Sequence, residues 1–252
     1  MAMMKRVRLL NGYFDPLTLE QTVDTIFSRL AGGQRGWLST VNVSILMMMR
    51  SDPGLQSFVD RSALIVADGQ PLVWTAPWLA QQSLPERVTG VDLVHALCAR
   101  SAREGKRVYL LGATAETVDK TAQRLRERHP GLNITTADGY FSSGEAPERA
   151  DRIRASGADI LFVGMGVPRQ ENFIDGQWDR LGVGMAIGVG GSFDVLSGLR
   201  ARAPGWVQRS GLEWLFRLVQ EPRRLFKRYL LTNSRFIGLV LCSLVKKRNR
   251  IS

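Results

Sequence analysis

The chain has 252 residues, of which 44% are apolar, and its net charge is +11. A chain of this length and composition can bury a substantial core, which excludes disorder throughout. Two cysteines, Cys98 and Cys242, are too few for a disulfide framework, so we expect a reducing, cytoplasmic environment. The segment from Met1 to Pro16 has no apolar stretch of signal-peptide length.

Short β-branched runs alternate with amphipathic stretches along the first three quarters of the chain. The predicted strands are Trp37–Val41, Ala63–Ala67, Arg107–Leu111, Asn133–Ala137, Asp159–Val163 and Gly184–Ile187. The predicted helices are Thr18–Leu30, Val43–Arg50, Pro71–Ala80, Gly90–Arg103, Ala115–Arg128, Ala146–Ala155 and Arg169–Trp178. This alternation predicts an α/β, Rossmann-like fold with a mainly parallel sheet and helices on both faces.

The charge is divided unequally along the chain. Residues 1–195 carry 21 Lys and Arg against 21 Asp and Glu, whereas residues 196–252 carry 13 against two. The second segment is also rich in aromatic and aliphatic residues, which lie between its cations. We therefore predict a catalytic domain at 1–195 and a basic, helical, membrane-associating appendage at 196–252, with an anionic membrane surface as its partner.

The longest apolar run of the appendage is Phe236–Val245. It is about half as long as the roughly 20 residues that cross a bilayer. Extending it back to Tyr229 adds Arg235, Asn233 and Thr232, which favours a helix that lies in the membrane interface, although a spanning helix remains open.

Polar and glycine residues follow almost every predicted strand. In parallel sheets, ligands bind beyond the carboxyl ends of the strands, and free amides at helix starts attract phosphate. These positions therefore predict a nucleotide or nucleotide-sugar site, although each glycine could equally serve tight packing. The residues that the pattern places there include Thr40, Asn42, Asp68, Gly112, Tyr140, Gly164, Gly166, Gln170, Gly190 and Gly191.

Two other chemistries find little support in the sequence. The turn that begins at Gly112 lacks the later glycines of the dinucleotide fingerprint, which argues against an NAD-dependent oxidoreductase. There is no Cys/His cluster and no Asp-x-Asp pair, so no metal cofactor is expected. Arginine and backbone amides would then have to meet the charge of a diphosphate leaving group.

Five ordered motifs resemble the WecG/TagA/CpsF glycosyltransferases, and the similarity runs from about Leu10 to Tyr229. The motifs are Ala67-Asp68-Gly69, Arg87-Val88-Thr89-Gly90-x-Asp92, Gly164-x-Gly166-x-Pro168-x-Gln170-Glu171, Gly188-Val189-Gly190-Gly191-x-Phe193-Asp194, and Arg202-Ala203-Pro204 through Gly211-Leu212-Glu213-Trp214. The resemblance implies transfer of a sugar from a UDP-sugar to a polyprenyl-diphosphate-linked saccharide at the inner membrane face, with inversion and without metal. It also implies that the sugar is glucose or an N-acetylmannosamine derivative.

The resemblance also implies roles for individual residues of the cleft. Asp68 matches the catalytic base, although it could instead cap the following helix. Thr40 and Asn42 match polar residues of the same cleft, and Asn42 could equally cap a helix. Arg87 matches a contact to the diphosphate, with a surface ion pair as the alternative. Gln170 matches a ligand of the sugar or nucleotide.

The basic tail matches the family's C-terminal segment, which brings the enzyme to the membrane and helps to complete its active site. The arginines that stand at the expected positions are Arg209, Arg217, Arg224 and Arg228. They could bind lipid headgroups, a substrate diphosphate or both, or form a solvated or self-associating surface. A homo-oligomer therefore remains open.

The sequence thus predicts an inverting UDP-sugar transferase at the cytoplasmic face of the inner membrane, peripheral or monotopic, in surface or exopolysaccharide synthesis. No nucleic acid partner is expected. One alternative is a nucleotide-binding module whose basic tail binds nucleic acid, since aromatic and basic residues alternate there. An NAD-dependent oxidoreductase is the other.

Overall fold

The computed structural model describes residues 5–80 and 82–248, without the side chains of residues 224, 228 and 246–248. The strands of this part of the chain are β1 (Val7–Leu9), β2 (Gly12–Phe14), β3 (Gly36–Val41), β4 (Leu64–Ala67), β5 (Arg107–Gly112), β6 (Asn133–Ala137), β7 (Ile160–Gly164) and β8 (Met185–Gly188). The helices are α1 (Leu19–Ala31), α2 (Val43–Met49), α3 (Pro53–Asp60), α4 (Gln70–Ala80), α5 (Gly90–Glu104), α6 (Ala115–Arg128), α7 (Ala146–Ala155), α8 (Arg169–Leu181), α9 (Ser192–Leu196), α10 (Gly205–Arg209), α11 (Glu213–Gln220) and α12 (Pro222–Arg248).

These elements form two compact units. Unit 1 takes the described residues of 1–18, 41–88 and 202–252, and unit 2 takes 19–40 and 89–201. The division into a catalytic domain and an appendage at residues 195 and 196 concerns function and stays a prediction.

Unit 2 is built on parallel strands in the order β3-β8-β7-β5-β6. The register pairs Leu38 with Ile187, Ile187 with Phe162, and Phe162 with Leu110, and all four side chains are almost fully buried. Such continuous apolar strands are typical of a parallel sheet that is covered by helices. Helices α1, α5, α6, α7, α8 and α9 surround this sheet, so the predicted α/β, Rossmann-like fold is confirmed.

Unit 1 contains β4, the hairpin of β1 and β2, and the helices of the C-terminal segment. Asp15 fastens the hairpin to β4, because its backbone N–H donates to Ile65 O and its carboxylate accepts from Ile65 N, both at 2.8 Å. Arg6 Nε also donates to Asp15 Oδ1 at 3.1 Å. The sequence pattern did not predict this hairpin, because its two strands are only three residues long.

Helix α12 packs against α2, α4 and α11 within unit 1. The buried hydroxyls of Ser44 in α2 and Thr232 in α12 lie 3.0 Å apart and form a hydrogen bond. Leu225 and Phe236 of α12 are also buried. The C-terminal segment is therefore an integral part of the core of unit 1.

Candidate active site

A pocket of about 300 Å³ lies within unit 1. Its wall is formed by the start of α2, the turn between β4 and α4, the segment before α5, and the helices α11 and α12. The lining residues are Asn42, Val43, Ser44, Asp68, Gly69, Gln70, Pro71, Arg87, Gly211, Glu213, Trp214, Arg217, Tyr229, Asn233, Phe236 and Ile237. The structure thus brings together four of the predicted site residues: Asn42, Asp68, Arg87 and Arg217.

Asp68 reaches this pocket because it directly follows the buried strand β4. Its backbone N–H donates to Val41 O at 2.9 Å, which places the residues after β3 and β4 side by side. Asn42 follows Val41 and caps α2, since its Oδ1 accepts from Ile45 N at 3.0 Å. The cap uses only Oδ1, so Asn42 can serve a substrate through its amide nitrogen.

Arg87 is held by two partners from the C-terminal segment. Its Nη1 forms an ion pair with Glu213 Oε2, and its Nη2 donates to Gln208 Oε1 at 2.9 Å. Gln208 is itself fixed, because its Nε2 donates to Ala203 O at 2.7 Å. A diphosphate that bound the Arg87 fork would therefore have to replace at least one of these partners.

Glu213 connects Arg87 to a second arginine. Its Oε1 accepts from Arg217 Nη2 at 3.0 Å, one helical turn farther along α11. The side chain of Glu213 is only 16% exposed, so this carboxylate is largely withdrawn from water. We assigned Glu213 no role from the sequence, although it is one of just two acidic residues among the last 57.

Arg217 and Asp68 line the same pocket. Burial alone would lower the pKa of Arg217, but the negative charges of Glu213 and Asp68, together with the hydrogen bond to Glu213, outweigh burial and raise the pKa. The pocket therefore combines a carboxylate at the end of β4 with a guanidinium from α11. Arg217 is charged at every physiological pH.

Another part of the lining is aromatic and apolar. The rings of Trp214 and Tyr229 meet edge to face, with centroids 6.1 Å apart. Phe236 and Ile237 extend this wall along α12. The pocket thus offers both charged and apolar groups to a ligand.

In unit 2, the side chain of Gln170 forms hydrogen bonds with two glycine-containing turns. It is 2% exposed, and its Oε1 accepts from Gly166 N at 3.2 Å and from Gly190 N at 3.0 Å. Its Nε2 donates to Glu171 Oε1 at 2.8 Å. Each end of the side-chain amide is thus engaged inside the fold, and its predicted contact with substrate stays a prediction.

Glu171 is buried beside Gln170. Its Oε2 has no hydrogen-bond partner among the described residues. Burial raises the pKa of Glu171 to about 7, although the hydrogen bond from Gln170 opposes this shift. The carboxyl group is therefore protonated in a large fraction of molecules at neutral pH.

The glycines of unit 2 fall into two kinds. Gly112 packs so closely on the backbone of Gly164 that a Cβ would clash, and a Cβ at Gly164 would lie 2.7 Å from the Phe193 ring. Gly166 and Gly190 have φ angles of 79° and 52° and face open space. Gly112 and Gly164 thus serve packing, whereas the turns at Gly166 and Gly190 leave room for a ligand.

The remaining predicted residues lie outside the pocket lining. Thr40 is buried in unit 2, where its hydroxyl donates to Gly188 O at 3.0 Å. Tyr140 is exposed, and Gly191 directly precedes α9. Arg209 is exposed at the end of α10. The predicted roles of Arg224 and Arg228 depend on side chains that lie outside the described residues.

The described residues contain neither a metal-binding cluster nor a membrane-spanning helix. No group of three or more His, Cys, Asp and Glu side chains could hold a metal ion there. Within the same residues, no helix has both the length and the apolar character that a bilayer crossing needs.

Comparison with known families identifies the same family that the sequence motifs resemble. The family model described as Glycosyl transferase WecG/TagA/CpsF family matches residues 7–250. The match covers nearly the whole chain and includes every residue of the pocket lining.

Proposed function

The chain belongs to the WecG/TagA/CpsF family of glycosyltransferases, and from this premise we propose an inverting, metal-independent transfer of a hexose from a UDP-sugar to a polyprenyl-diphosphate-linked saccharide. Family membership indicates cell-surface polysaccharide synthesis, a sugar-nucleotide donor and a lipid-linked acceptor. It also favours glycosyl transfer over the nucleic-acid-binding and oxidoreductase alternatives. We propose a sugar of the glucose or N-acetylmannosamine type.

The observation that carries this proposal is the shared pocket of Asp68, Arg87 and Arg217. A glycosyl transfer needs an acceptor for the proton of the attacking hydroxyl and a counter-charge for the departing diphosphate. A carboxylate and two guanidinium groups provide both functions. These three groups support a single-displacement mechanism.

In this mechanism, Asp68 is the catalytic base. The acceptor hydroxyl oxygen forms a bond to the anomeric carbon as the bond from that carbon to the diphosphate oxygen breaks. The hydroxyl proton moves to the Asp68 carboxylate, and UDP leaves with the bonding electron pair. The anion of Asp68 also stabilises the oxocarbenium character of the transition state.

Arg87 and Arg217 provide the charge that a metal ion supplies in other transferases. Because Glu213 binds both guanidinium groups, it keeps them at one site before the donor arrives. Binding of the diphosphate exchanges the Glu213 or Gln208 contacts of Arg87 for phosphate oxygens. Arginine suits this exchange because its planar fork binds carboxylate and phosphate in the same way.

The apolar wall formed by Trp214, Phe236 and Ile237 suits the lipid end of the acceptor. The exposed apolar side chains of α11 and α12 lie among basic residues, a pattern typical of helices that lie on anionic membranes. We accordingly propose a peripheral enzyme at the cytoplasmic face of the inner membrane. Arg209, Arg217, Arg224 and Arg228 would bind the lipid headgroups or the diphosphate.

The test is UDP release from a panel of UDP-sugars in the presence of a polyprenyl-diphosphate-linked sugar and EDTA. We expect release with one donor type and no dependence on added Mg²⁺ or Mn²⁺. Loss of all turnover on chelation would contradict the metal-free mechanism. Release without incorporation of the sugar into the lipid would contradict the proposed acceptor.

A further inference from the structure

Helix α4 presents an unusual exposed face in unit 1. None of its residues, from Gln70 to Ala80, is charged. Leu72 and Ala76 are fully buried on one side, whereas Trp74 and Trp78 are 47% and 59% exposed one helical turn apart. The two indoles therefore lie on the face that the core does not use.

This tryptophan face continues onto the C-terminal segment. The Trp74 ring packs over Gly211, where an added Cβ would lie 2.6 Å from Cη2. Leu212 follows directly and is 40% exposed, and Trp206 of α10 is 66% exposed. Trp74 of α4 is therefore adjacent to the C-terminal segment at Gly211, and this segment carries a further exposed indole at Trp206.

The charge of the C-terminal segment indicates what covers this surface. Residues 196–252 include thirteen basic and two acidic residues, whereas α4 has no charged residue. Tryptophan concentrates at the level of lipid headgroups, because its ring is apolar and its indole N–H is polar. An anionic bilayer satisfies both the cations and the indoles, whereas a second copy of this chain would bring the cations together.

We propose that the α4 tryptophan face, formed by Trp74 and Trp78, binds the headgroup region of an anionic phospholipid bilayer. This contact lies outside the basic segment and rests on the proposed membrane-bound function. Because α4 begins at Gln70 and Pro71 on the pocket lining, the contact turns this wall of the pocket toward the lipid surface. A lipid-linked acceptor then reaches the pocket without leaving the membrane.

The test compares Trp78→Glu with Leu199→Glu on the full-length protein. Both positions carry an exposed apolar side chain, 59% and 67% exposed, so both variants add one negative charge at an exposed position. Leu199 lies in unit 2 and serves as the matched control. Sedimentation with phosphatidylglycerol/phosphatidylcholine vesicles measures binding, and circular dichroism checks the fold.

We expect Trp78→Glu to bind the vesicles about tenfold more weakly than the wild type, because the substitution removes an indole anchor and places a carboxylate at the interface. Trp78→Phe retains an aromatic ring and should bind within about threefold of the wild type. Leu199→Glu should bind like the wild type. Equal binding of Trp78→Glu and the wild type would overturn the proposal, as would a wild type that binds no vesicles.

Two further measurements separate this proposal from its alternatives. If light scattering shows that Trp78→Glu converts a dimer to a monomer without lipid, the face is a self-association surface and the proposal is wrong. UDP release in detergent tests the proposed function independently, because detergent micelles keep the lipid-linked acceptor in solution without a bilayer. Normal release together with unchanged vesicle binding by Trp78→Glu would overturn only the membrane contact.

Discussion

The guanidinium of Arg87, which precedes α5, forms an ion pair with the carboxylate of Glu213 at the start of α11. The two residues are 126 positions apart in the sequence, and each side chain is less than one fifth exposed. Glu213 therefore occupies the donors that the proposed mechanism assigns to the diphosphate. In this structure an internal carboxylate thus takes the place at Arg87 that the mechanism assigns to a phosphate oxygen.

This ion pair predicts that Glu213→Gln binds UDP more tightly. The neutral amide competes less well for Arg87, so the ligand no longer has to displace a carboxylate. We expect the Kd for UDP to fall about fivefold, which corresponds to about 1 kcal/mol. Isothermal titration in EDTA measures this change.

Glu221→Gln is the matched control for Glu213→Gln. It removes the only other acidic side chain among the last 57 residues, and Glu221 does not line the pocket. Because Glu221 lies outside the pocket lining and solvent screens its charge, the Kd of Glu221→Gln for UDP should stay within about twofold of the wild-type value. An unchanged or weaker affinity of Glu213→Gln would show that Glu213 does not compete with UDP for Arg87.

Gln170→Ala should destabilise the fold. The substitution leaves the Gly166 and Gly190 amides without their buried acceptor, at a cost of about 3 kcal/mol. The melting temperature should fall by roughly 5 to 10 °C. Gln123→Ala, which removes an exposed side chain from α6, should melt like the wild type. If Gln170→Ala melts like the wild type and loses only activity, the main role of Gln170 is to bind substrate and not to stabilise the fold.

Glu171 should make the folded protein less stable as the pH rises. Its pKa in the folded state is about 7 against an ordinary 4.5, so between these values the unfolded chain releases the proton first. Stability is therefore lost from about pH 4.5 to about pH 7, by about 3 kcal/mol in total from this group. Above that range the penalty is constant.

Urea unfolding between pH 5 and pH 8 tests this dependence. Glu171→Gln cannot ionise, so its stability should gain on the wild type as the pH rises. Glu20→Gln replaces an exposed carboxylate of α1 and should follow the wild-type profile. Parallel profiles for Glu171→Gln and the wild type would mean that Glu171 has an ordinary pKa.

The sheet could be predicted because its strands are continuous apolar runs between amphipathic helices. All six predicted strands and all seven predicted helices are present, with boundaries that differ by at most three residues. The hairpin of β1 and β2 could not be predicted, because strands of three residues carry too little periodicity. Its stability comes from Asp15 and Arg6, which bond across more than 40 positions to the segment at Ser62 and Ile65.

The candidate site likewise has some features that could be predicted from the sequence and others that could not. Asp68 and Asn42 could be placed together, because each directly follows a parallel strand. The contacts of Arg87 with Glu213 and Gln208 could not, because they join segments that no local pattern relates. The two structural glycines, Gly112 and Gly164, could not be separated from Gly166 and Gly190, because all four stand in similar turns in the sequence.

The most direct test of the account is the turnover of Asp68→Asn with UDP-sugar, lipid-linked acceptor and EDTA. The amide cannot accept the hydroxyl proton, so kcat should fall at least about 100-fold, with UDP affinity within about threefold of the wild type. Asp60→Asn, on the exposed end of α3, should keep normal turnover. A folded Asp68→Asn protein that retains near-normal kcat would contradict the assignment of Asp68 as the catalytic base and with it the proposed mechanism.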